Sequence, residues 1–400
     1  MKAGGWPSII AIFLFGVLGG STVSKLFPLG ADVGHALHVS PSQFGWLISL
    51  IAVPAALLAI PSGIVVDRFG PKRVMLAAAC LALVADAIYV FSHSLGAFEI
   101  ARLIEGAAIV HIYSAGPALM MSTTEGRRRT MAMTVWAAYM PMGTAAGLVI
   151  GGIFAGSAGW RMGFSVHGAL LLLVAALGLM LPKSERIGGP APTLAQRVVD
   201  LRLAYSRPPL LLLGLSVFLM IVMGLGANTV LPGFIARAQG LSMSGASGEL
   251  AMATLAMAPG SILTGLMLGR AVQPRRVFLG VAAFAFCVGA LAFFPGLGSV
   301  ARFVVLCLWF VATGAAMAIA VATLPVIAEP ERRGAAAAAL NQSGSLATFV
   351  APPLWLTLAS GWGWTALAAL LAGGWLLTAL CMWLATAAAP GAPRLAPSRA

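Results

Sequence analysis

Charge is what this sequence has least of. Only 9% of its 400 residues are Asp, Glu, Lys or Arg, and only 11 are acidic. A soluble chain of this length would need about a quarter of its residues charged to cover its surface. Here 60% are hydrophobic, and a solvent of lipid tails removes the need for a charged coat. Cysteines are scarce as well. Cys80, Cys287, Cys307 and Cys381 each fall inside an apolar run, where cysteine behaves as a small buried hydrophobe. There is no CxxC pair and no histidine-rich cluster, which argues against metal and redox work. No Gly-x-x-x-x-Gly-Lys-Ser/Thr loop occurs, which removes ATP as a driving force. No Ser/His/Asp arrangement stands out, so the sequence reads as a protein that is not an enzyme and calls for no cofactor. The net charge of +13 would suggest nucleic acid on a soluble protein. The positives sit in short loops between apolar spans and no basic stripe interleaves with aromatics, so nucleic acid is not an expected partner.

What the chain does have is long apolar runs. They cover roughly 7–28, 43–66, 74–93, 97–121, 131–155, 161–182, 209–235, 247–269, 277–295, 300–327, 335–358 and 363–386. Each is about 18–28 residues, enough for ~30 Å of hydrocarbon at 1.5 Å per residue. The Met1-Lys2 start before an apolar stretch has the look of a signal peptide. Its length and the eleven similar stretches after it make it a first span instead. The expected fold is therefore an all-α membrane protein of twelve transmembrane helices. Placing the N-terminus in the cytoplasm puts 19 of the 24 Lys and Arg residues on the cytoplasmic side. Lys25, Arg102, Arg161, Arg237 and Arg302 are the exceptions. The expected location is a bacterial-type inner membrane, with both termini inside.

The chain also repeats itself. Gly63-x-x-x-Asp67-Arg68 recurs 202 positions later as Gly265-x-x-x-Gly269-Arg270, and Arg73 finds Arg275 at the same offset. Glu125 and the three arginines at 127–129 are echoed by Glu331-Arg332-Arg333. Gly159-Trp160 is echoed by Gly361-Trp362. Duplication gives two pseudo-symmetric six-helix bundles. Residues 1–182 form the first and 209–388 the second. Between them lies a cytoplasmic linker, 183–208, with a short amphipathic helix near 194–203. The tail 389–400, rich in Pro and Ala, reads as disordered.

The most specific motif is Gly63-Ile-Val-Val-Asp67-Arg68-Phe-Gly70-Pro-Lys72-Arg73, after the second span. Gly63 lets helices touch and Gly70 allows a tight turn. Asp67, among Arg68, Lys72 and Arg73, can latch the cytoplasmic helix ends in one state and release them in another. The stretch resembles the loop 2–3 motif of the major facilitator superfamily. With twelve spans, a long central loop and the duplication, the resemblance covers about 380 residues. It implies two bundles rocking about a central solute site, and a functional monomer. Gly269 replaces the acid in the second copy, so one side carries the full latch.

In the fourth span Arg102 and Glu105 share a helix face at i, i+3. Charges in hydrocarbon must pair or face a cavity. This pair is similar to the family's helix-four pattern, Arg-x-x-x-Gly, here Arg102 and Gly106, whose Arg is associated with proton coupling. Coupling and a structural brace for the outer half both fit. In the fifth span Gly143, Gly147 and Gly151 form a smooth groove for close packing. They look like the family's exporter motif, with Leu148 in place of its proline. Candidate cavity residues are Lys25, Asp86, His111, Asn228, Asn341 and Gln342. Lys25 would attract an anion or snorkel to the outer interface. Asp86 would be protonatable or an interhelical hydrogen-bond partner. His111 could titrate near neutrality. Asn228 precedes Pro232, where a broken helix would offer backbone groups.

Together these point to a proton-coupled secondary transporter working by alternating access on a small-molecule solute in a lipid bilayer. Lys25, Arg102 and His111 favour an organic anion. The competing expectation is proton-driven export of drugs or amphipathic metabolites such as siderophores, favoured by the glycine-rich fifth span and by Asp86 and Glu105.

Overall fold

Proline and glycine set where the helices end and where they bend. A computed structural model of the chain describes residues 1–182, 194–268, 273–294, 296–329 and 333–387. The first span is α1 (Trp6–Ser24), a 3-10 turn (Phe27–Leu29) and α2 (Gly30–Leu37). The second joins α3 (Pro41–Ser49) to α4 (Ala52–Phe69). Next come α5 (Pro71–Phe91), α6 (Leu95–Thr123), α7 (Gly126–Ala137) with α8 (Tyr139–Phe154), and α9 (Met162–Leu179). The short α10 (Leu194–Tyr205) belongs to the linker. The second half runs α11 (Pro208–Gln239), α12 (Met243–Leu255) with α13 (Met257–Leu268), α14 (Pro274–Ala292), α15 (Ser299–Ile327), α16 (Arg333–Gly361) and α17 (Gly363–Ala387).

Among the described residues that gives twelve helical rods besides the linker helix. Ten are long and apolar enough to cross a membrane unaided. The other two, α6 and α16, are 29 residues each. Polar side chains dilute both: Glu99, Arg102, Glu105 and His111 in α6, Asn341 and Gln342 in α16. Leucines such as Leu57, Leu172 and Leu173 lie exposed on the outside of the rods, as lipid contact requires.

Three rods break at equivalent points, each just before a proline. Pro54, Pro141 and Pro259 have no N–H to return to Leu50, Ala137 and Leu255, so the turn opens there. The chain tightens locally instead. Val53 donates to the Leu50 carbonyl at 3.1 Å, and Ala138 to that of Val135 at 3.1 Å. A glycine of a neighbouring helix fills two of these breaks. A methyl group at Gly106 would collide with the Ile51 carbonyl, and one at Gly314 with that of Met257. The repeat seen in sequence is thus a repeat of packing.

The six rods of each half pack mainly on one another. Contacts between the halves gather at the side away from α10. There α8 lies on α12, and α3 lies on α16 with Trp46 against Phe349 at 5.3 Å. One apolar core runs through both halves on this far side, from Leu26, Val33 and Phe44 to Leu250, Phe310 and Trp355. On the linker side the first bundle keeps a separate core around Phe15, Met75, Leu119 and Trp136.

Two expectations change. The first span does not stop at Pro28. That proline only bends it, and the chain stays helical to Leu37. Lys25 therefore sits inside the bundle, 1% exposed, and does not reach an interface. Nor does Pro232 break the seventh span, which runs unbroken from Pro208 to Gln239. The second-copy residues Gly269 and Arg270, and the tail 389–400, lie outside the described residues.

Candidate functional site: a buried ion cluster in the first bundle

The glycine groove of α8 comes first, because it sets the site. Side chains at Gly143, Gly147 and Gly151 would collide in turn with Val17–Gly20, Ser21–Ser24 and the Lys25 backbone. The bare face of α8 therefore lets the end of α1 press inward, and Lys25 is the residue at that end. Its ammonium reaches α5, α6 and α9 at once. It bonds Asp86 Oδ1, lies 2.8 Å from Glu105 Oε1 and 3.1 Å from His167 Nδ1. The rings of Tyr89 and Phe164 flank it, with centroids 5.5 and 5.4 Å away.

Around Lys25 the charges close on themselves. Arg102 donates to Glu105 Oε2 at 2.6 Å, and to the carbonyls of Thr22 at 3.0 Å and Ile48 at 2.9 Å. The Tyr89 hydroxyl donates to the same Glu105 oxygen at 2.8 Å. His167 Nδ1 lies 2.6 Å from Asp86 Oδ2. Its Nε2 faces Ser21 Oγ at 3.0 Å and the Leu18 carbonyl at 3.2 Å. Lys25, Asp86, Arg102, Glu105 and His167 are each at most 2% exposed. Burying charge is tolerable only when it is paired and hydrogen-bonded, and here five helices, α1, α3, α5, α6 and α9, supply the partners.

Sequence reading picked out Lys25, Asp86, Arg102 and Glu105, and the fold brings all four together. It missed His167 and Tyr89. A lone histidine in an apolar run gives no periodic signal, and no local spacing links it to Asp86, 81 positions away. His111 stands apart from the cluster. It is half-buried, with Nδ1 2.7 Å from its own helix's Ala107 carbonyl.

The remaining candidates disperse. Asn228 is 7% exposed and its Oδ1 has no hydrogen-bond partner. Asn341 is exposed. Gln342 Oε1 accepts from the Tyr205 hydroxyl of the linker at 2.6 Å, and burial pushes that phenol above its ordinary pKa. In the loop motif, Gly70 takes φ 85° between α4 and α5. Gly63 is half-buried, while Asp67, Arg68 and Arg73 are exposed. Lys72 turns back into its own bundle. It donates to the Leu179 carbonyl at 2.8 Å and to that of Leu181, closing the C-terminus of α9.

Two broken, glycine-docked bundles joined by a linker, with a charge cluster buried in one, call for comparison with proteins of known kind. The model of the Major Facilitator Superfamily matches residues 8–341. The chain belongs to that superfamily. It is 27% identical over 408 residues to an MFS-type efflux pump of Mycolicibacterium smegmatis, covering 96% of this chain and 92% of that one. It is 24% identical to the tetracenomycin C resistance and export protein of Streptomyces glaucescens, over 45% of this chain and 34% of that protein. Among solved structures, a bacterial homologue of the lysosomal transporter Spinster, described as inward-facing and unoccupied, superposes with a TM-score of 0.76. The two are 17% identical, over 95% of each chain. The nucleoside transporter NupG superposes at 0.79 with 14% identity, over 95% of this chain and 98% of that one. At such identities the structures establish the fold. This chain is a multi-pass membrane transporter of the superfamily.

Proposed function

We propose that this transporter exports an amphipathic solute, neutral or cationic, in exchange for protons. The observation that carries the reading is the closure of the ion cluster. Lys25 and Arg102, two of the three residues that favoured an anionic solute, are both spent on Asp86 and Glu105. Neither side-chain cation is left without a carboxylate partner, so neither is free to draw an anion from solution. The kinds of relative named above, efflux and export proteins, support the same direction.

Alternating access would work by rocking the bundles, 1–182 against 209–388, about their shared far-side core. With contacts gathered on that side, the described arrangement suits a state open toward the linker. Orientation follows from the basic loops, which put the linker and both termini in the cytoplasm. In this state Asp67 and Arg68 are exposed at the open end. The rocking unit is taken to be a monomer.

The test uses ethidium in everted vesicles with an acid lumen. Uptake into the lumen that collapses when the pH gradient is dissipated supports the reading. Asp67→Asn should slow that uptake several-fold at equal protein in the membrane. Gradient-driven movement of labelled benzoate with no ethidium movement would restore the anion reading and overturn this one.

A further inference from the structure

The contacts of His167 impose a count of protons. Ser21 Oγ donates its own hydrogen to the Leu18 carbonyl at 2.8 Å. The two groups facing His167 Nε2 are therefore that carbonyl and a hydroxyl oxygen with its hydrogen already committed. The carbonyl can only accept, and a Ser21 hydroxyl turned toward a bare Nε2 would leave that carbonyl facing the ring's lone pair at 3.2 Å, so we place a hydrogen on Nε2. In a neutral imidazole Nδ1 would then be a bare lone pair. Yet it lies 2.6 Å from a carboxylate oxygen of Asp86, which is also acceptor-only when ionised. Two acceptors do not approach that closely without a hydrogen between them.

We infer that the cluster holds one extra proton, in the gap between His167 Nδ1 and Asp86 Oδ2, and that this pair is the transporter's proton-carrying site. The count of charges agrees. Lys25 and Arg102 balance Asp86 and Glu105, and the added proton makes the cluster singly positive. Glu105 does not compete for it. Its Oε2 already accepts from Arg102 and Tyr89, and its Oε1 faces the Lys25 ammonium at 2.8 Å. When the proton leaves, Nδ1 can turn to the group standing 3.1 Å away, the Lys25 ammonium, which donates to it. Lys25 thus has a partner in either state: Asp86 and Glu105 while the proton is present, with His167 added once it has gone. The charged and titratable groups facing the site are Lys25 on the first span, Asp86 and Tyr89 on α5, and Arg102 and Glu105 on α6. The roles of Asp86 and His167 deepen the proton-coupled reading and rest on it, whereas their shared proton does not.

The experiment is nitrogen-15 NMR of histidine-labelled full-length protein in detergent, titrated from pH 5 to 9. His167 is assigned by loss of its signals in His167→Gln. The expected result is Nε2 protonated throughout and a single proton leaving Nδ1 as pH rises. At a pH where wild-type Nδ1 is half protonated, Asp86→Asn should strip most of that proton by removing the anion that holds it. Lys25→Met should do the reverse by removing a neighbouring cation. A neutral His167 with hydrogen on Nδ1 and none on Nε2 would overturn the site from the wild type alone, whether or not the variants fold. So would a titration indifferent to both substitutions. An intact titration alongside ethidium flux insensitive to a pH gradient would uphold the site and refute the coupling reading.

Discussion

Gly106 rests on the break at Ile51 in the first bundle, and Gly314 rests on the break at Met257 in the second. Four residues before each glycine stand Arg102 and Phe310. One residue before stand Glu105 and Thr313. At the duplication offset of 202, Asp86 corresponds to Val288 and His167 to Ala369. Every member of the cluster on α5, α6 and α9 thus has an uncharged counterpart. Thr313 satisfies itself, donating to the Trp309 carbonyl at 2.9 Å. The second bundle fills its interior with Trp309, Trp355 and Trp375, and its buried Arg302 donates to the Phe294 carbonyl at 2.8 Å. The duplicated scaffold is held in both copies by the geometry of a glycine on an open turn. The Lys25-centred ion cluster is held in one, by side chains that packing does not require.

The largest effect should come from breaking the cluster. Lys25→Met takes from Asp86 and Glu105 the ammonium they share, and once the pH is high enough for the His167–Asp86 proton to leave it strands a buried negative charge, which should cost about 3–5 kcal/mol. Thermal unfolding in detergent would show it, and Lys25→Met with Asp86→Asn should recover much of the loss. Thr313→Val, in the counterpart of the cluster, should cost about 1 kcal/mol or less. A comparable drop for both would erase the contrast between the bundles.

The shared scaffold is tested next. Gly106→Val and Gly314→Val each push a side chain into a backbone carbonyl. Each should cost about 1–3 kcal/mol, and the two should match. Tolerance of one alone would mean that the bundles are not held the same way. Lys72→Met removes the cation that closes α9 and should cost ~0.5–2 kcal/mol. The smallest effect belongs to Arg207→Ala, which breaks an ion pair to Glu329 with both partners 41% exposed. About 0–1 kcal/mol is expected there, shrinking further in salt.

Much of this architecture could be read in the sequence. Lipid makes apolar length informative, and the proposed orientation rests on the basic loops. Repeated glycines and prolines mark contacts where only a missing Cβ or a missing N–H will do. The pair Arg102 and Glu105 was legible because both lie on one helix face. The rest of the site was not, because its partners come from five helices and meet only after packing. Lys25 read as a cavity residue or an interface residue near a helix end while Pro28 looked like that end, and it became the centre of the cluster once Pro28 proved to be a bend. The anionic solute was read from Lys25, Arg102 and His111 set against few acids. The fold pairs Lys25 and Arg102 with Asp86 and Glu105 and leaves His111 against its own helix's Ala107 carbonyl.

Proton movement tied to solute tests the account most directly. Proteoliposomes carrying a trapped pH dye would be challenged with ethidium. Wild type should move protons against ethidium. Asp86→Asn should still exchange ethidium for ethidium while moving no protons with it. Ethidium-linked proton movement at the wild-type rate in Asp86→Asn would contradict the assignment of the proton to the first bundle's cluster.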